Sequence, residues 1–185
     1  ININKNKIYL SVVAIFIVVV ILISRLAGSA VQDVSGYAWA DTIGWIQMSG
    51  SWPNGVSYDD TNNGLMSGYA WSDNIGWVSF NCTNDHDLDT PGIQTCIDMG
   101  GVDYGVNIRE DNFFEGYAWS ENIGWISFNL ADTGVPLGEY DYSSQGFLAQ
   151  YQQDNNEVWG WARALSGMDD PDDGWDGWIK TIKHE

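Results

Sequence analysis

Two hydrophobic patterns divide the chain. From Ile8 to Ile23 the sequence is apolar and carries no charge: Ile-Tyr-Leu-Ser-Val-Val-Ala-Ile-Phe-Ile-Val-Val-Val-Ile-Leu-Ile. As a helix at 1.5 Å per residue this stretch spans roughly 24 Å, and its extension to Leu26 and Ala27 makes it just long enough to cross a bilayer. Such a helix, rich in β-branched Val and Ile, is stiff and apolar on every face, so it needs lipid or copies of itself around it. Ile8, Val12, Ile15, Val19 and Leu22 are the expected assembly contacts. Lys5 and Lys7 precede the stretch, which by the positive-inside rule puts the N-terminus in the cytoplasm and everything after Arg25 outside.

Beyond residue 30 the period changes from helical to 2. Gly36-Tyr37-Ala38-Trp39-Ala40-Asp41-Thr42-Ile43-Gly44-Trp45-Ile46 returns as Gly68-Tyr69-Ala70-Trp71-Ser72-Asp73-Asn74-Ile75-Gly76-Trp77-Val78-Ser79-Phe80-Asn81. It returns again as Gly116-Tyr117-Ala118-Trp119-Ser120-Glu121-Asn122-Ile123-Gly124-Trp125-Ile126-Ser127-Phe128-Asn129. A degenerate fourth copy runs from Val158-Trp159-Gly160-Trp161-Ala162 to Gly177-Trp178-Ile179-Lys180, with a loop inserted at its tip. Each copy reads as a β-hairpin: Tyr69 and Trp71 share one face, Ala70 the other, and Ser72-Asp73-Asn74 supplies the turn. Trp71 and Trp77 are expected to pair across the strands, with Gly76 marking a bulge or letting an indole lie against bare backbone. Further strands are predicted at Gly55–Tyr58, Gly105–Ile108 and Glu139–Tyr142. The copies follow one another at 32, 48 and about 43 residues, a spacing too uneven for a propeller and suited to an antiparallel meander or sandwich. The repeat tryptophans are expected in its core.

The predicted fold class is therefore α+β: an apolar N-terminal helix over residues 1–30, then an all-β antiparallel repeat domain over 31–185. Charge follows the same division. The first 30 residues hold Lys5, Lys7 and Arg25 and no acid. The remainder sets four basic residues against 25 acidic ones, a formal charge of −21. Such a surface repels phosphate backbones and excludes nucleic acid as a partner.

Three readings of the apolar segment stand side by side: a signal peptide ending at Gly28-Ser29-Ala30, a lone membrane anchor, and a filament core. The first 30 residues resemble type IV pilins and their archaeal relatives, in which a leader is cut just before the helix. The start at Ile1 fits that pattern, whereas Lys5 stands where the family usually has Glu. The resemblance implies a subunit inserted in the cytoplasmic membrane and then assembled, by non-closing contacts with itself, into an extracellular filament. The Gly-Tyr-Ala-Trp-Ser-Glu-Asn-Ile-Gly-Trp-Ile-Ser-Phe wording is similar to repeats in surface proteins of small-genome bacterial lineages, which implies exposure outside the cell.

Candidate chemistry is sparse. Cys82 and Cys96 are the only cysteines, and outside the membrane they are expected to form a disulfide worth roughly 3 kcal/mol. Asp85, Asp87 and Asp89 alternate as in the start of a calcium loop, and Asp169, Asp170, Asp172 and Asp173 crowd the tip of copy four; Ca2+ is the candidate ion for both. Trp159, Trp161, Trp175 and Trp178 are the candidate glycan-stacking residues. With His86 and His184 the only histidines, and no nucleophile or phosphate-binding motif, an enzyme is not expected. The sequence thus predicts a filament subunit, with a membrane-anchored adhesin or glycan-binding module as the alternative.

Overall fold

The computed structural model describes residues 31–49, 55–60, 63–85, 102–133, 147–154, 157–168 and 174–182. All lie in one compact unit, Val31–Glu185. They form thirteen strands in chain order: β1 Val31–Asp33, β2 Tyr37–Ala40, β3 Gly44–Gln47, β4 Ser57–Asp59, β5 Leu65–Ser67, β6 Tyr69–Ser72, β7 Gly76–Ser79, β8 Val106–Ile108, β9 Phe114–Ser120, β10 Gly124–Ser127, β11 Gln150–Gln152, β12 Glu157–Ala164 and β13 Trp178–Ile182. The α+β expectation is corrected on this point. The described fold is nearly all antiparallel β, and its helical pieces are single turns such as Leu130–Thr133. Among the described residues no helix is long and apolar enough to cross a membrane. The predicted helix, with Ile8, Val12, Ile15, Val19 and Leu22, lies outside them, so the pilin-like and transmembrane-helix readings gain nothing from this fold.

The four sequence copies are four hairpins: β2–β3, β6–β7, β9–β10 and β12–β13. Each pairs with the next, and β13 pairs with β2, through Lys180↔Trp39 and Thr181↔Ala38. Because β7 also pairs with β9, at Ser79↔Trp119, the eight strands close into a barrel. The meander or sandwich expectation is thereby replaced. Closure removes both sheet edges, and the uneven spacing does not prevent it, because the described strands between the hairpins lie beside the barrel rather than within it. There β1, β4, β5 and β8 form a second antiparallel run attached to β9. Strand β9 serves both: Phe114–Gly116 pairs with β8 and Tyr117–Ser120 with β10.

Hairpin register is repeated from copy to copy. Trp39 faces Trp45, Trp71 faces Trp77 and Trp119 faces Trp125 across the strands, as predicted. Each of the first three turns ends in a glycine with φ near +70°: Gly44, Gly76 and Gly124. The register runs unbroken from Ser72↔Gly76 to Tyr69↔Ser79, so Gly76 marks no bulge; it opens the return strand in the left-handed conformation that closes the turn.

The core corrects one further expectation. Buried inside are Ala38, Ala70, Ala118 and Ala162 with Ile46, Val78, Ile126 and Ile179, joined by Val56, Met66, Val106 and Phe114 of the outer run. The hairpin tryptophans of the first three copies point the other way. Trp45 is 52% and Trp77 45% exposed. Period-2 alternation separates the two faces correctly, but the closed barrel takes the alanine face, with Ile and Val opposite, and turns the tryptophans out.

Candidate functional site

Outside the barrel each copy builds an aromatic trio. In copy one the Trp45 ring lies between Trp39, 4.8 Å away at 60°, and Tyr37, 5.9 Å away at 78°. In copy two Trp77 stands 4.7 Å from Trp71 and 5.9 Å from Tyr69, with the same tilted geometry. These edge-to-face arrangements suit the ring quadrupoles and hold each indole in one orientation. The flanking indole is fixed from its polar end too: Trp39 Nε1 donates to Asp41 Oδ1 at 3.1 Å, and Trp71 Nε1 to Asp73 Oδ1 at 3.0 Å. Since β3 pairs with β6 at Gln47↔Trp71, the two trios are neighbours on one face.

In the other two copies a further aromatic ring lies over the central one. Copy three repeats the trio, with Trp125 4.6 Å from Trp119, but Tyr104 leans on Trp125 from 5.2 Å. In copy four the register puts Trp161 where Tyr37 stands, Arg163 at the place of Trp39 and Trp178 at that of Trp45. The Arg163 guanidinium lies 4.7 Å above the Trp178 ring, a cation–π contact in place of the indole pair. Phe147 covers the same ring from 6.3 Å, and Trp178 is buried.

Of the residues predicted for binding, Trp161 and Trp178 are brought together, their rings 6.1 Å apart, but the four form no common open surface. Trp178 is buried and Trp161 half-buried, Lys180 Nζ standing 5.5 Å above the Trp161 ring. Trp175 packs against the core with its Nε1 buried. Trp159 alone of the four is largely exposed, and its Nε1 donates to Glu157 at 2.9 Å. The open aromatic face belongs to copies one and two. There Trp45 and Trp77 remain about half exposed, a difference between copies that sequence spacing does not reveal.

A second, polar cleft opens on the outer run between Tyr58, Asn63, Asn107, Arg109, Glu115 and Tyr151. The Tyr58 and Tyr151 rings sit 5.9 Å apart. Burial first, and then the hydrogen bond to Tyr151, push the Tyr58 hydroxyl up to about 12. Arg109 is paired with Asp111, and Glu115 Oε2 lies 4.0 Å from its Nε. That pairing raises Arg109 and lowers Asp111 from their ordinary values.

The metal expectation gains no support, whereas Cys82 is disulfide-bonded. Asp85 ends a 3-10 turn, Cys82–Asp85, while Asp87, Asp89, Asp169, Asp170, Asp172 and Asp173 lie outside the described residues. Among the described residues no three His, Cys, Asp or Glu side chains gather to hold an ion. No disulfide has both ends among them either, since Cys96 lies outside. Cys82 is not a free thiol. It is buried, its N–H donates to Tyr104 O at 3.1 Å, and its Sγ lies 3.5 Å from Asp103 Oδ1. The comparisons add no relative to this picture: no protein-family model, curated protein or solved structure matches the chain.

Proposed function

We propose that the barrel is a recognition module displayed outside the cell, binding neutral glycans on the aromatic face of copies one and two. The observation that carries the reading is the exposure of Trp45 and Trp77, two large rings on adjacent hairpins turned to solvent rather than inward. A fixed, half-exposed indole offers an apolar surface to the C–H face of a sugar ring. Asp41, Asp73 and Asn74 stand beside it as hydrogen-bonding groups for hydroxyls. The strongly acidic domain favours neutral sugars over uronic or sialic acids. Two like platforms side by side favour a polymer that spans both, because the second contact is then intramolecular. The filament reading depends on residues 1–30, which lie outside the described residues, and the barrel supplies no argument for it.

The test is a glycan array probed with the wild-type chain, followed by titration of the best neutral oligosaccharide. Trp45→Ala and Trp77→Ala are each expected to weaken binding about tenfold, a loss of about 1.4 kcal/mol, with the thermal transition still cooperative. No binding to any neutral glycan, or full affinity in both variants, overturns the reading.

A further inference from the structure

Behind the same strands, on their inner side, the barrel holds a cavity of about 230 Å³. Its origin is in the repeat. Every copy places alanine at the central inward position, and Ala38, Ala118 and Ala162 line the void. Eight strands enclose a space that larger side chains fill or that one small ligand occupies; here alanines leave it open. Ile46, Val78 and Ile126 form part of the wall, and Phe80, Phe114 and Phe128 another part. The buried hydroxyls nearest in the repeat, Ser72 and Ser120, are already engaged with the carbonyls of Ile43 and Ile75. A water inside would find few partners, and voids of this character stay dry and accept apolar guests. The polar residues in the lining are Ser35, Tyr37, Glu157 and Thr181, a minority of it.

We propose that the barrel interior is a binding site for one small neutral apolar molecule, of one or two rings or a medium alkyl chain. The size follows from the volume: it lies below that of pockets for drug-sized ligands, and above that of dry cavities that take a single benzene. The charge follows from Glu157 in the lining and from the acidic domain, both of which disfavour a carboxylate. Neither Trp45 nor Trp77, which carry the glycan reading, lines the cavity, so this site and that reading stand or fall separately.

The experiment titrates the full chain with n-butylbenzene, of about ten non-hydrogen atoms, and with 4-phenylbutyrate as its anionic counterpart. Protein NMR shifts and the melting temperature are the readouts. Butylbenzene is expected to saturate one site, to move methyl resonances of Ile46, Val78 and Ile126, and to raise the melting temperature. Phenylbutyrate is expected to bind about tenfold more weakly or less. Ala118→Leu fills the void and abolishes the shifts while the fold is kept; Ala38→Val, a smaller insertion, serves if the leucine does not fold. Trp77→Ala leaves butylbenzene binding unchanged. No saturation in the wild type overturns the proposal. So does undiminished binding in a folded cavity-filling variant, or loss of binding in Trp77→Ala, which places the guest on the outer face.

Discussion

Gly116 stands where strand β9 passes from the outer run into the barrel, and no other residue suits it. Its φ is +96°, and an added Cβ would lie 2.1 Å from the Gly105 carbonyl oxygen. Backbone cannot swing aside as a side chain can. Gly116→Ala is therefore expected to lower stability by about 1–3 kcal/mol, read as a reduced denaturation midpoint with an unchanged slope. Titration adds a second residue-scale prediction. The folded Tyr58 holds its proton up to about 12, against an ordinary value of 10.0. Its contribution is complete below pH 10 and is lost as pH rises towards 12, where the unfolded chain has already ionised. Tyr58→Phe should flatten the fall in melting temperature across that window. Asp132 has the opposite sign. It accepts from Tyr117 Oη at 2.5 Å, and chiefly for that reason its carboxyl lies below the ordinary 3.8. Its stabilising effect is present above that value and is lost as pH falls beneath it, so Asp132→Asn should reduce acid sensitivity there. At this scale the sequence was legible in part. Alternation identified which residues share a face, but nothing in a period of 2 says which face is inside. That depends on the room enclosed, and the room depends on closure.

Between elements, the hairpins are joined by a clasp that explains the wording of the repeat. The Ile43 carbonyl, at the first turn, accepts from Asn74 Nδ2 at 3.0 Å and Ser72 Oγ at 3.4 Å, both from the second copy. The Ile75 carbonyl accepts in the same way from Asn122 Nδ2 at 2.9 Å and Ser120 Oγ at 3.5 Å of the third. Ser166 of the fourth copy donates to the Ile123 carbonyl at 2.7 Å. Each turn thus holds its predecessor's carbonyl, and Ser-x-Asn-Ile-Gly encodes donor and acceptor together. Copy one, with Ala40 and Thr42 in those places, adjoins copy four, whose tip is not of that kind. Reading the motif along one chain made Asn and Ser turn-formers, which is correct but local; their partners lie 29 to 47 residues away. Asn122→Ala removes the shorter bond and leaves a carbonyl part-satisfied. The expected cost is about 1 kcal/mol, measured by chemical denaturation, and Asn74→Ala should cost a similar amount. A double variant whose loss exceeds the sum of the two would show the clasps acting as one belt.

Closure gives the whole molecule its cooperativity. Within a hairpin four residue pairs run across the strands, but the seams are uneven. β3–β6 and β7–β9 are each held by a single registered pair, and β13–β2 by three. The ring is therefore fastened by its last strand, whose partner β2 is the first strand of the ring, far away in sequence. Such a contact forms late and carries a large loop-closure cost, so the barrel exists whole or not at all. Thr181 sits at this fastening: it pairs with Gly160 on one side and Ala38 on the other, and its Oγ1 donates to the Gly160 carbonyl at 2.9 Å. Proline there lacks the N–H and is not tolerated in the interior of a sheet. Thr181→Pro should therefore abolish the single thermal transition and the near-ultraviolet dichroism of tryptophan pairs in distant copies, Trp71–Trp77 included. Were the hairpins an open meander, to which the repeat spacing is also suited, the same substitution would fray only copy four. The signal of the second hairpin would then survive intact.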